Sequence, residues 1–343
     1  MSGVGQPRLP FPLRLARGIL QAVNAAAGGL HRAGVFPVRR AGVPVVSVGN
    51  IALGGTGKTP LVAALATELR AMGQRPVVLT RGFRRSTSDP VVVPPGSTPP
   101  WEHVGDEPAS LARVVAGLGL VVDADRVRGA ARAIADLGAT VLLLDDGFQH
   151  WRLARDLDIV VVDARDPVAE GTLRREHPAS LARAGALVVH RAEDLDTRRR
   201  ACAELRRWNP TAAMLATSLR PVAVHRGDAV EPVGSLRGRR VVAFAGIGIP
   251  ATFADTLAAL GAEVASFTPL PDHHVCSRRE LEELLGTARA HDAVLLTTAK
   301  DAVKLPADLA GEIAWLEVEM IALDGDFATI LAPTLAGAGR ERR

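Results

Sequence analysis

A glycine-rich loop between a predicted strand and a predicted helix constrains the fold more than any other feature. Residues 49–60 read GNIALGGTGKTP and follow the β-branched run at 45–48. Apolar residues then recur at helical spacing over 61–72. In such a loop, glycines let backbone amides surround phosphate oxygens, a lysine reaches the terminal phosphates and a threonine hydroxyl binds Mg²⁺. The sequence therefore predicts a nucleoside triphosphate site at the N-terminus of a helix.

One position in this loop departs from the usual P-loop spacing. That spacing places a glycine at position 52, where this chain has Ala52. A glycine-rich turn that binds nothing is the alternative, but the Gly-Lys-Thr run, the strand and the helix all favour a P-loop. The predicted phosphate-binding residues are Ala52, Leu53, Gly54, Gly55, Thr56, Gly57, Lys58 and Thr59.

The composition indicates a globular protein with more than one domain. The chain has 343 residues, which is long for one ordinary core, and 48% of them are hydrophobic. Its two cysteines, Cys202 and Cys276, exclude a disulfide framework and favour a reducing cytoplasm. The net charge of +4 suits an anionic partner, but no nucleic-acid-binding motif accompanies it. We therefore expect no nucleic acid partner, and nothing implies a protein partner.

An amphipathic segment precedes the loop. Apolar residues between positions 13 and 30 can share one helical face, and Arg14, Arg17 and Arg32 flank it. A basic amphipathic helix can lie in a membrane interface, whereas the periodicity alone favours a helix packed on its own domain. No apolar run reaches the roughly 20 residues that a membrane span requires. We assign residues 1–40 to this segment.

Apolar strands alternate with helical patterns through most of the chain. This alternation predicts an α/β fold, with a doubly wound, mostly parallel sheet of the P-loop NTPase type. A composition change near 208–221 predicts a P-loop domain at 41–217, a smaller α/β domain at 218–335 and a disordered tail at 336–343. The predicted strands are 45–48, 76–80, 120–122, 140–144, 159–163 and 186–190, then 241–244, 262–267, 293–298 and 313–318.

Two carboxylates end one of the predicted buried strands. Residues 140–146 read TVLLLDD, and GFQH follows directly. Asp145 at this strand end suits a ligand of Mg²⁺ in a P-loop site. Asp146 and His150 then lie beside it. An acidic turn that caps a helix is the alternative, but a P-loop in the same sheet favours the metal.

Three further clusters contain residues able to do chemistry. GDEP at 105–108 begins a predicted helix, where Asp106 either caps the helix or accepts a hydroxyl proton. PDHH at 271–274 offers adjacent histidines, either for a metal or for a carboxylate across an interdomain cleft. TTAKDAVK at 297–304 either contacts phosphate or forms a solvated helix start. Spacing alone leaves these alternatives open.

Together, these motifs resemble those of the tetraacyldisaccharide 4'-kinase family, the lipid A 4'-kinases. The matching segments are VGN at 48–50, GGTGKTP at 54–60, RGF at 81–83, GDEP at 105–108, DDGFQH at 145–150, RDLD at 155–158, FAGIG at 244–248, DH at 272–273 and KDAVK at 300–304. The resemblance covers nearly the whole chain, including the N-terminal helix. Members of this family generally lack a glycine at the position of Ala52.

The resemblance implies a reaction and a location. It implies transfer of the γ-phosphate of ATP, with Mg²⁺, to the 4'-hydroxyl of a tetraacylated glucosamine disaccharide 1-phosphate. It also implies a peripheral protein at the cytoplasmic face of the bacterial inner membrane, whose partners are the glycolipid substrate and the membrane surface. This shifts the interpretation of the N-terminal helix towards membrane contact.

The resemblance also implies roles for individual residues. Lys58 and the loop amides would hold the phosphates, while Thr59 and Asp145 would hold Mg²⁺. Asp106 would be the general base, or a group that only orients the hydroxyl, with His273 paired to it. The other candidates, which would line the site or face the lipid, are Asp146, His150, Arg81 and Phe83.

A few positions depart from the family pattern. The segment 171–178 alters a Leu-Arg-Glu-Pro motif in which Glu176 is the counterpart of the glutamate, and Ile249 and Ala299 replace a frequent asparagine and glutamate. These changes concern contacts with the acceptor more than ATP binding. Two alternative functions follow: a related kinase with a different glycolipid acceptor, and an ATP-gated switch or chaperone.

Overall fold

One large sheet runs through the computed structural model, which describes residues 11–340. Within these residues the sheet has thirteen strands. Their bounds are β1 Val45–Gly49, β2 Pro76–Thr80, β3 Val91–Val93, β4 Gly119–Val122, β5 Val141–Asp145, β6 Leu157–Asp163, β7 Ala186–His190, β8 Ala213–Arg226, β9 Ala229–Pro232, β10 Arg240–Ala245, β11 Glu263–Pro269, β12 Val294–Thr298 and β13 Ala314–Ala322.

Helices lie between most of these strands. Their bounds are α1 Phe11–Arg32, α2 Lys58–Ala71, α3 Trp101–Val104, α4 Asp106–Val114, α5 Arg126–Leu137, α6 Leu195–Trp208, α7 Ala251–Ala259, α8 Arg278–Ala290, α9 Ala299–Ala302 and α10 Phe327–Arg340, with 3₁₀ helices at Pro178–Arg183 and Val233–Leu236. The strand order is β11-β10-β12-β13-β8-β7-β6-β1-β5-β2-β4-β3, and β9 pairs with β8. Most pairs are parallel, and the antiparallel ones are β13–β8, β3–β4 and β8–β9. The predicted α/β class and mostly parallel sheet are confirmed.

The central strands are buried on both faces because helices cover both. Leu143 of β5 packs in the same core as Leu61 and Leu65 of α2. Its neighbours Leu142 and Leu144 point to the other face, into the core that α5 covers. This two-sided burial fixes the strand directions, so the carboxyl ends of β1, β2 and β5 meet at one edge, where ligands bind in such sheets.

The two halves of the chain share a strand. β8 has 14 residues, pairs in parallel with β7 near its start and then runs antiparallel to β13. The predicted boundary between residues 217 and 218 therefore falls inside β8 and not in a loop. We call residues 41–217 the P-loop half and 218–335 the second half.

The predicted terminal segments differ from the structure in extent. The helix α1 begins at Phe11, and residues 1–10 of the predicted N-terminal segment lie outside the described part. α10 continues to Arg340, so residues 336–340 of the predicted disordered tail are helical, while 341–343 also lie outside it. In the described part, no helix combines the length and the apolar character that a membrane crossing requires.

Gly49, at the end of β1, provides a test of this packing. A Cβ on Gly49 would lie 2.5 Å from the Cβ of Phe148 and 2.9 Å from its backbone nitrogen. We expect Gly49→Ala to lower the free energy of unfolding by about 1–3 kcal/mol, because neither neighbour is a flexible side-chain end. Urea unfolding followed by circular dichroism measures this.

The matched control for this variant is Gly286→Ala. Gly286 lies within α8, where an added Cβ meets no atom within 4 Å. There alanine should stabilise the helix by up to about 1 kcal/mol. Equal stability changes in the two variants would contradict the close contact between β1 and Phe148.

Candidate active site

The glycine-rich loop connects β1 to α2, as its sequence predicts. Gly54 and Gly57 have positive φ angles of 118° and 90°, which glycine adopts without strain. Lys58 is the first residue of α2. Inside the loop, the Asn50 amide donates to the hydroxyl of Thr56 at 2.8 Å, and both side chains are buried. The loop thus presents its lysine and its amides at the helix N-terminus, as phosphate binding requires.

The structure explains why position 52 needs no glycine. Ala52 forms an isolated antiparallel bridge with Arg174. On either side, the Leu53 amide donates to the carbonyl of Leu173, and the Arg175 amide donates to the carbonyl of Ile51, both at 2.7 Å. Paired backbone of this kind is extended, and any residue can adopt it. Residues 171–176, which we call the bracing segment, therefore support the P-loop from one side.

A buried polar network fixes the bracing segment to the loop. The Gln149 amide donates to the carbonyl of Asn50 at 3.0 Å and to the carboxylate of Glu176 at 2.9 Å. Arg183 forms an ion pair with Glu176 at 2.8 Å. Because Glu176 is only 5% exposed and saturated by these contacts, its role is to anchor the P-loop.

Asp146 lies between two cations at the end of β5. Its carboxylate is 3.4 Å from Nζ of Lys58 and 2.6 Å from Nη1 of Arg175. Burial would raise the pKa of Asp146, but the charges of Lys58 and Arg175 outweigh burial and lower it. Asp146 therefore stays ionised and positions the P-loop lysine. Arg175 was not among the predicted site residues.

Asp145, unlike Asp146, forms no ion pair with a cation within 4.0 Å in the described part of the chain. It is 3% exposed, and the Thr80 hydroxyl donates to it at 3.1 Å. Burial, together with the charges of Glu107 and Asp146, raises the pKa of Asp145 to about 7. A buried carboxylate with negative neighbours favours a cation. Among residues 11–340, no three carboxylate, histidine or cysteine side chains form a metal site by themselves.

Asp106 and His273 meet across the two halves. Asp106 is the first residue of α4 and is 5% exposed. Nδ1 of His273 donates to its carboxylate at 2.8 Å, and the Glu107 amide donates to it at 2.9 Å. Burial would raise the pKa of Asp106, but the His273 hydrogen bond and the charges of Lys300, His273 and Lys304 lower it.

The PDHH motif at 271–274 was predicted either to bind a metal or to pair with a carboxylate across the cleft. In the structure, His273 pairs with the carboxylate of Asp106. His274 instead pairs with Glu280 at 3.0 Å.

Of the two predicted lipid-facing residues, Phe83 lies beside this pair. Phe83 is 53% exposed, and its ring meets that of His273 edge-on with centroids 5.2 Å apart. Arg81 is exposed at the end of β2. Burial, then the charge of Arg126, lowers the pKa of His150 to about 4, so its imidazole is neutral at pH 7. Its Nε2 is buried without a partner in the described part of the chain.

Arg126 is a site residue that sequence reasoning missed. It is 6% exposed, and it donates to the carbonyl of Asp123 at 2.9 Å. Its charge acts on Asp145 and Asp146. In the sequence it is the ordinary first residue of a helix. Only the order of the sheet, in which β2 lies between β4 and β5, shows that it is near the acids at the end of β5.

A second charged cluster supports the loop from β6 and β7. Asp163 ends β6, with Arg165 at 2.8 Å and Arg191 at 2.6 Å. Arg191 also donates to the carbonyl of Gly55 at 3.5 Å. Burial would raise the pKa of Asp163, but hydrogen bonds from Arg165 and the charges of both arginines lower it to about 2.

Comparisons with known proteins identify one family. The family model described as tetraacyldisaccharide-1-P 4'-kinase matches residues 10–336. A tetraacyldisaccharide 4'-kinase of Anaeromyxobacter sp. (strain Fw109-5) is 43% identical over 316 residues, covering 88% of this chain and 84% of the relative. One from Paramagnetospirillum magneticum is 41% identical over 301 residues, covering 86% of each chain. The crystal structure of LpxK from Aquifex aeolicus in complex with ATP is 27% identical with a TM-score of 0.77, covering 95% of this chain and 98% of that one.

The cluster at Asp163 predicts a pH-dependent stability. Because the folded pKa of about 2 lies below the reference value of 3.8, ionised Asp163 contributes stability above about pH 4. That contribution is lost as the pH falls through about 2. We expect Asp163→Asn to lower the free energy of unfolding by about 2 kcal/mol at pH 7, and by less at pH 3. Urea unfolding at both pH values measures the difference.

Asp196→Asn is the control, since its carboxylate is 77% exposed and 3.7 Å from Arg199. It should stay within about 0.5 kcal/mol of the wild type at both pH values. A deficit for Asp163→Asn that is the same at pH 3 and pH 7 would contradict the lowered pKa.

Proposed function

This chain belongs to the tetraacyldisaccharide-1-phosphate 4'-kinase family, and from that membership we propose how its residues carry the reaction. It is an ATP-dependent kinase that transfers the γ-phosphate to the 4'-hydroxyl of tetraacyldisaccharide 1-phosphate, a step of lipid A biosynthesis. The 4'-oxygen forms a bond to the γ-phosphorus while the bond from that phosphorus to the β–γ bridging oxygen breaks, and ADP leaves. The hydroxyl proton passes to a carboxylate of the protein.

The donor half of the site is the P-loop. Amides between Gly54 and Thr59 and the Lys58 ammonium hold the β- and γ-phosphates, and Asp146 holds Lys58 in place. The predicted contribution of Leu53 falls away, because its amide donates to the carbonyl of Leu173. Thr59 and Asp145 are the residues that would hold Mg²⁺, and the raised pKa of Asp145 supports this assignment. When bound, Mg²⁺ supplies positive charge to the phosphate oxygens as negative charge shifts towards the leaving group.

The acceptor half is formed around Asp106. The carboxylate accepts a hydrogen bond from the 4'-hydroxyl and then its proton, while His273 fixes the orientation of the carboxylate. The meeting of Asp106 with His273 is the observation that carries this proposal, because it places a carboxylate beside the P-loop at the junction of the two halves. His150 and Arg81 contact the disaccharide, and Phe83 contacts the acyl region. The second half closes the cleft.

The N-terminal helix supports a membrane-bound location. Its polar side faces the protein, where Asn24 donates to the carbonyl of Arg175 at 2.8 Å. Its apolar side faces outward, with Leu15, Ile19 and Val23 each 59–60% exposed. A helix that docks through polar groups and exposes aliphatic ones suits a lipid interface. We propose that α1 lies on the cytoplasmic face of the inner membrane.

A groove joins this helix to the P-loop. Its volume is about 450 Å³, and its lining is apolar. The lining residues are Ala16, Ile19, Leu20, Val23, Leu53 and Leu173. Leu53 belongs to the P-loop and Leu173 to the bracing segment, so an acyl chain in the groove would lie next to the phosphate-transfer site. The groove favours a glycolipid acceptor over an ATP-gated switch.

The function is tested with purified protein, ATP, Mg²⁺ and detergent-dispersed tetraacyldisaccharide 1-phosphate. We expect the 4'-phosphorylated lipid by mass spectrometry. Asp106→Asn should lower kcat about 10²- to 10⁴-fold, since it removes the proton acceptor. Its affinity for ATP, measured by calorimetry, should change less than about twofold, because Asp106 contacts the acceptor.

Asp136→Asn serves as the control, because this carboxylate is 41% exposed and pairs with the neighbouring Arg132 on α5. It should retain wild-type kcat. ATP binding without lipid phosphorylation would contradict the kinase assignment, and lipid-independent ATP hydrolysis at the same rate would favour the switch. Equal losses of kcat and ATP affinity in Asp106→Asn would contradict the acceptor-side role.

The membrane assignment is tested by adding charge to the outer face of α1. Ile19→Glu with Val23→Glu should reduce co-sedimentation with vesicles of phosphatidylethanolamine and phosphatidylglycerol. The reason is that each aliphatic side chain contributes about 1.5–3 kcal/mol when buried in an apolar phase. The melting temperature should be unchanged, since both side chains are exposed.

Val222→Glu with Val230→Glu is the charge-matched control. These side chains are 41% and 63% exposed on the second half, so the double variant should sediment like the wild type. Equal losses in the two double variants would mean that net charge alone governs binding. Retained binding by the α1 variant would contradict the assignment.

A further inference from the structure

The lysines of this chain are few, and all lie in the cleft. Only three of the 41 basic residues are lysines, namely Lys58, Lys300 and Lys304. Lys58 begins α2 behind the P-loop. Lys300 and Lys304 come within 3.9 and 4.0 Å of the Asp106 carboxylate. Arginine therefore meets every other need for positive charge. The three remaining positions share a requirement for a compact ammonium group, which a planar guanidinium does not replace.

The Lys304 side chain is buried, and its ammonium group is held by two hydrogen-bond acceptors. Its side chain is 4% exposed. Its Nζ donates to the carbonyl of His274 and to the carboxylate of Asp301, both at 2.7 Å. The first of these bonds holds the residue directly after His273, so Lys304 restrains the loop that carries the imidazole.

Asp301 extends this restraint to two more loops. It is 3% exposed, and it accepts from the Gly246 amide at 2.9 Å and from the Thr298 hydroxyl at 2.7 Å. Gly246 in turn accepts from the His273 amide at 3.3 Å. The pair Asp301–Lys304 thus joins the loops that follow β10, β11 and β12, and these loops converge on Asp106.

His273 requires such a restraint because of its backbone. Its φ angle is 63°, in the left-handed region that residues other than glycine rarely adopt. Surrounding contacts must maintain this conformation. A loop that relaxed would move Nδ1 of His273 away from Asp106, and this hydrogen bond between the two halves would be lost.

We propose that Lys304 and Asp301 form a buried ion pair whose function is to position His273 against Asp106. Lys304 is thus a positioning residue that acts through His273. Lys300 is different: its side chain is 18% exposed, and it bonds to Asp272 at 2.8 Å. It therefore acts on the Asp106 carboxylate, 3.9 Å away, through its charge. The proposal rests on the role given above to His273.

A double-mutant cycle tests whether Lys304 acts through His273. The paired variant Asp301→Asn/Lys304→Met removes both charges of this ion pair, so neither partner is left without its counter-ion. It also removes the Lys304 charge 4.0 Å from Asp106, an effect that does not depend on His273. It should lower kcat on the order of 10²-fold, the effect of a misplacement of about 1 Å, while KM for ATP changes less than about twofold. In a His273→Ala background, the same pair should lower kcat less than about threefold.

Lys304→Arg provides a second arm, which keeps the charge on Asp301 balanced and so preserves the fold. We expect it to lower kcat at least about tenfold in the wild-type background, because the guanidinium displaces the His274 carbonyl. It should have little effect once His273 is alanine. This arm decides the question even if the paired variant does not fold.

Arg278→Met/Asp308→Asn is the matched control, an ion pair on the second half whose partners are both 57% exposed. It should leave kcat unchanged in both backgrounds. Equal losses from the Lys304 variants with and without His273 would overturn the positioning role alone, as would a fully active Lys304→Arg. A fully active His273→Ala would overturn both the proposed role of His273 and this inference.

Discussion

Two buried carboxylates at one sheet edge are the constraint on which the rest of the site depends. Removing a carboxylate from water is unfavourable unless cations or hydrogen bonds compensate. Asp106, 5% exposed, has His273, Lys300 and Lys304 around it. Asp145, 3% exposed, has the Thr80 hydroxyl. The protein therefore neutralises one of these acids itself, and the other is suited to a cation that arrives with the nucleotide.

Among the described residues, the cationic side chains within 4.0 Å of the Asp106 carboxylate come from the other half of the chain. Asp106 belongs to the P-loop half, whereas His273, Lys300 and Lys304 belong to the second half. Burial would raise the pKa of Asp106, but the His273 hydrogen bond and these charges lower it, so the carboxylate is a weaker base and a better-fixed acceptor of a hydrogen bond. Phosphoryl transfer tolerates this, because its loose transition state needs little proton removal before the new bond forms. Orientation of the hydroxyl therefore comes first, and the proton follows late.

Sequence reasoning predicts this site well where one local rule is sufficient. The P-loop, α2 and the acid-bearing end of β5 each follow from strand, glycine and helix patterns in adjacent residues. Strand β8 was not predicted, because the composition change at 208–221 was interpreted as a boundary between domains, whereas β8 covers 213–226. Arg126 and Arg175 were missed because each lies far from its partners in sequence. Likewise, only backbone pairing with Arg174 explains Ala52.

The most specific signal in this sequence comes from its three lysines, because most of its other basic side chains are arginines. An excess of arginine over lysine carries no structural information, because either side chain serves on a solvated surface. In such a chain, however, a lysine marks a position where a guanidinium does not fit or bonds wrongly. Lys304, with two acceptors at 2.7 Å and a side chain 4% exposed, meets that description in full. The same bias that obscures ordinary surface charges thus singles out the ammonium groups on which the cleft depends.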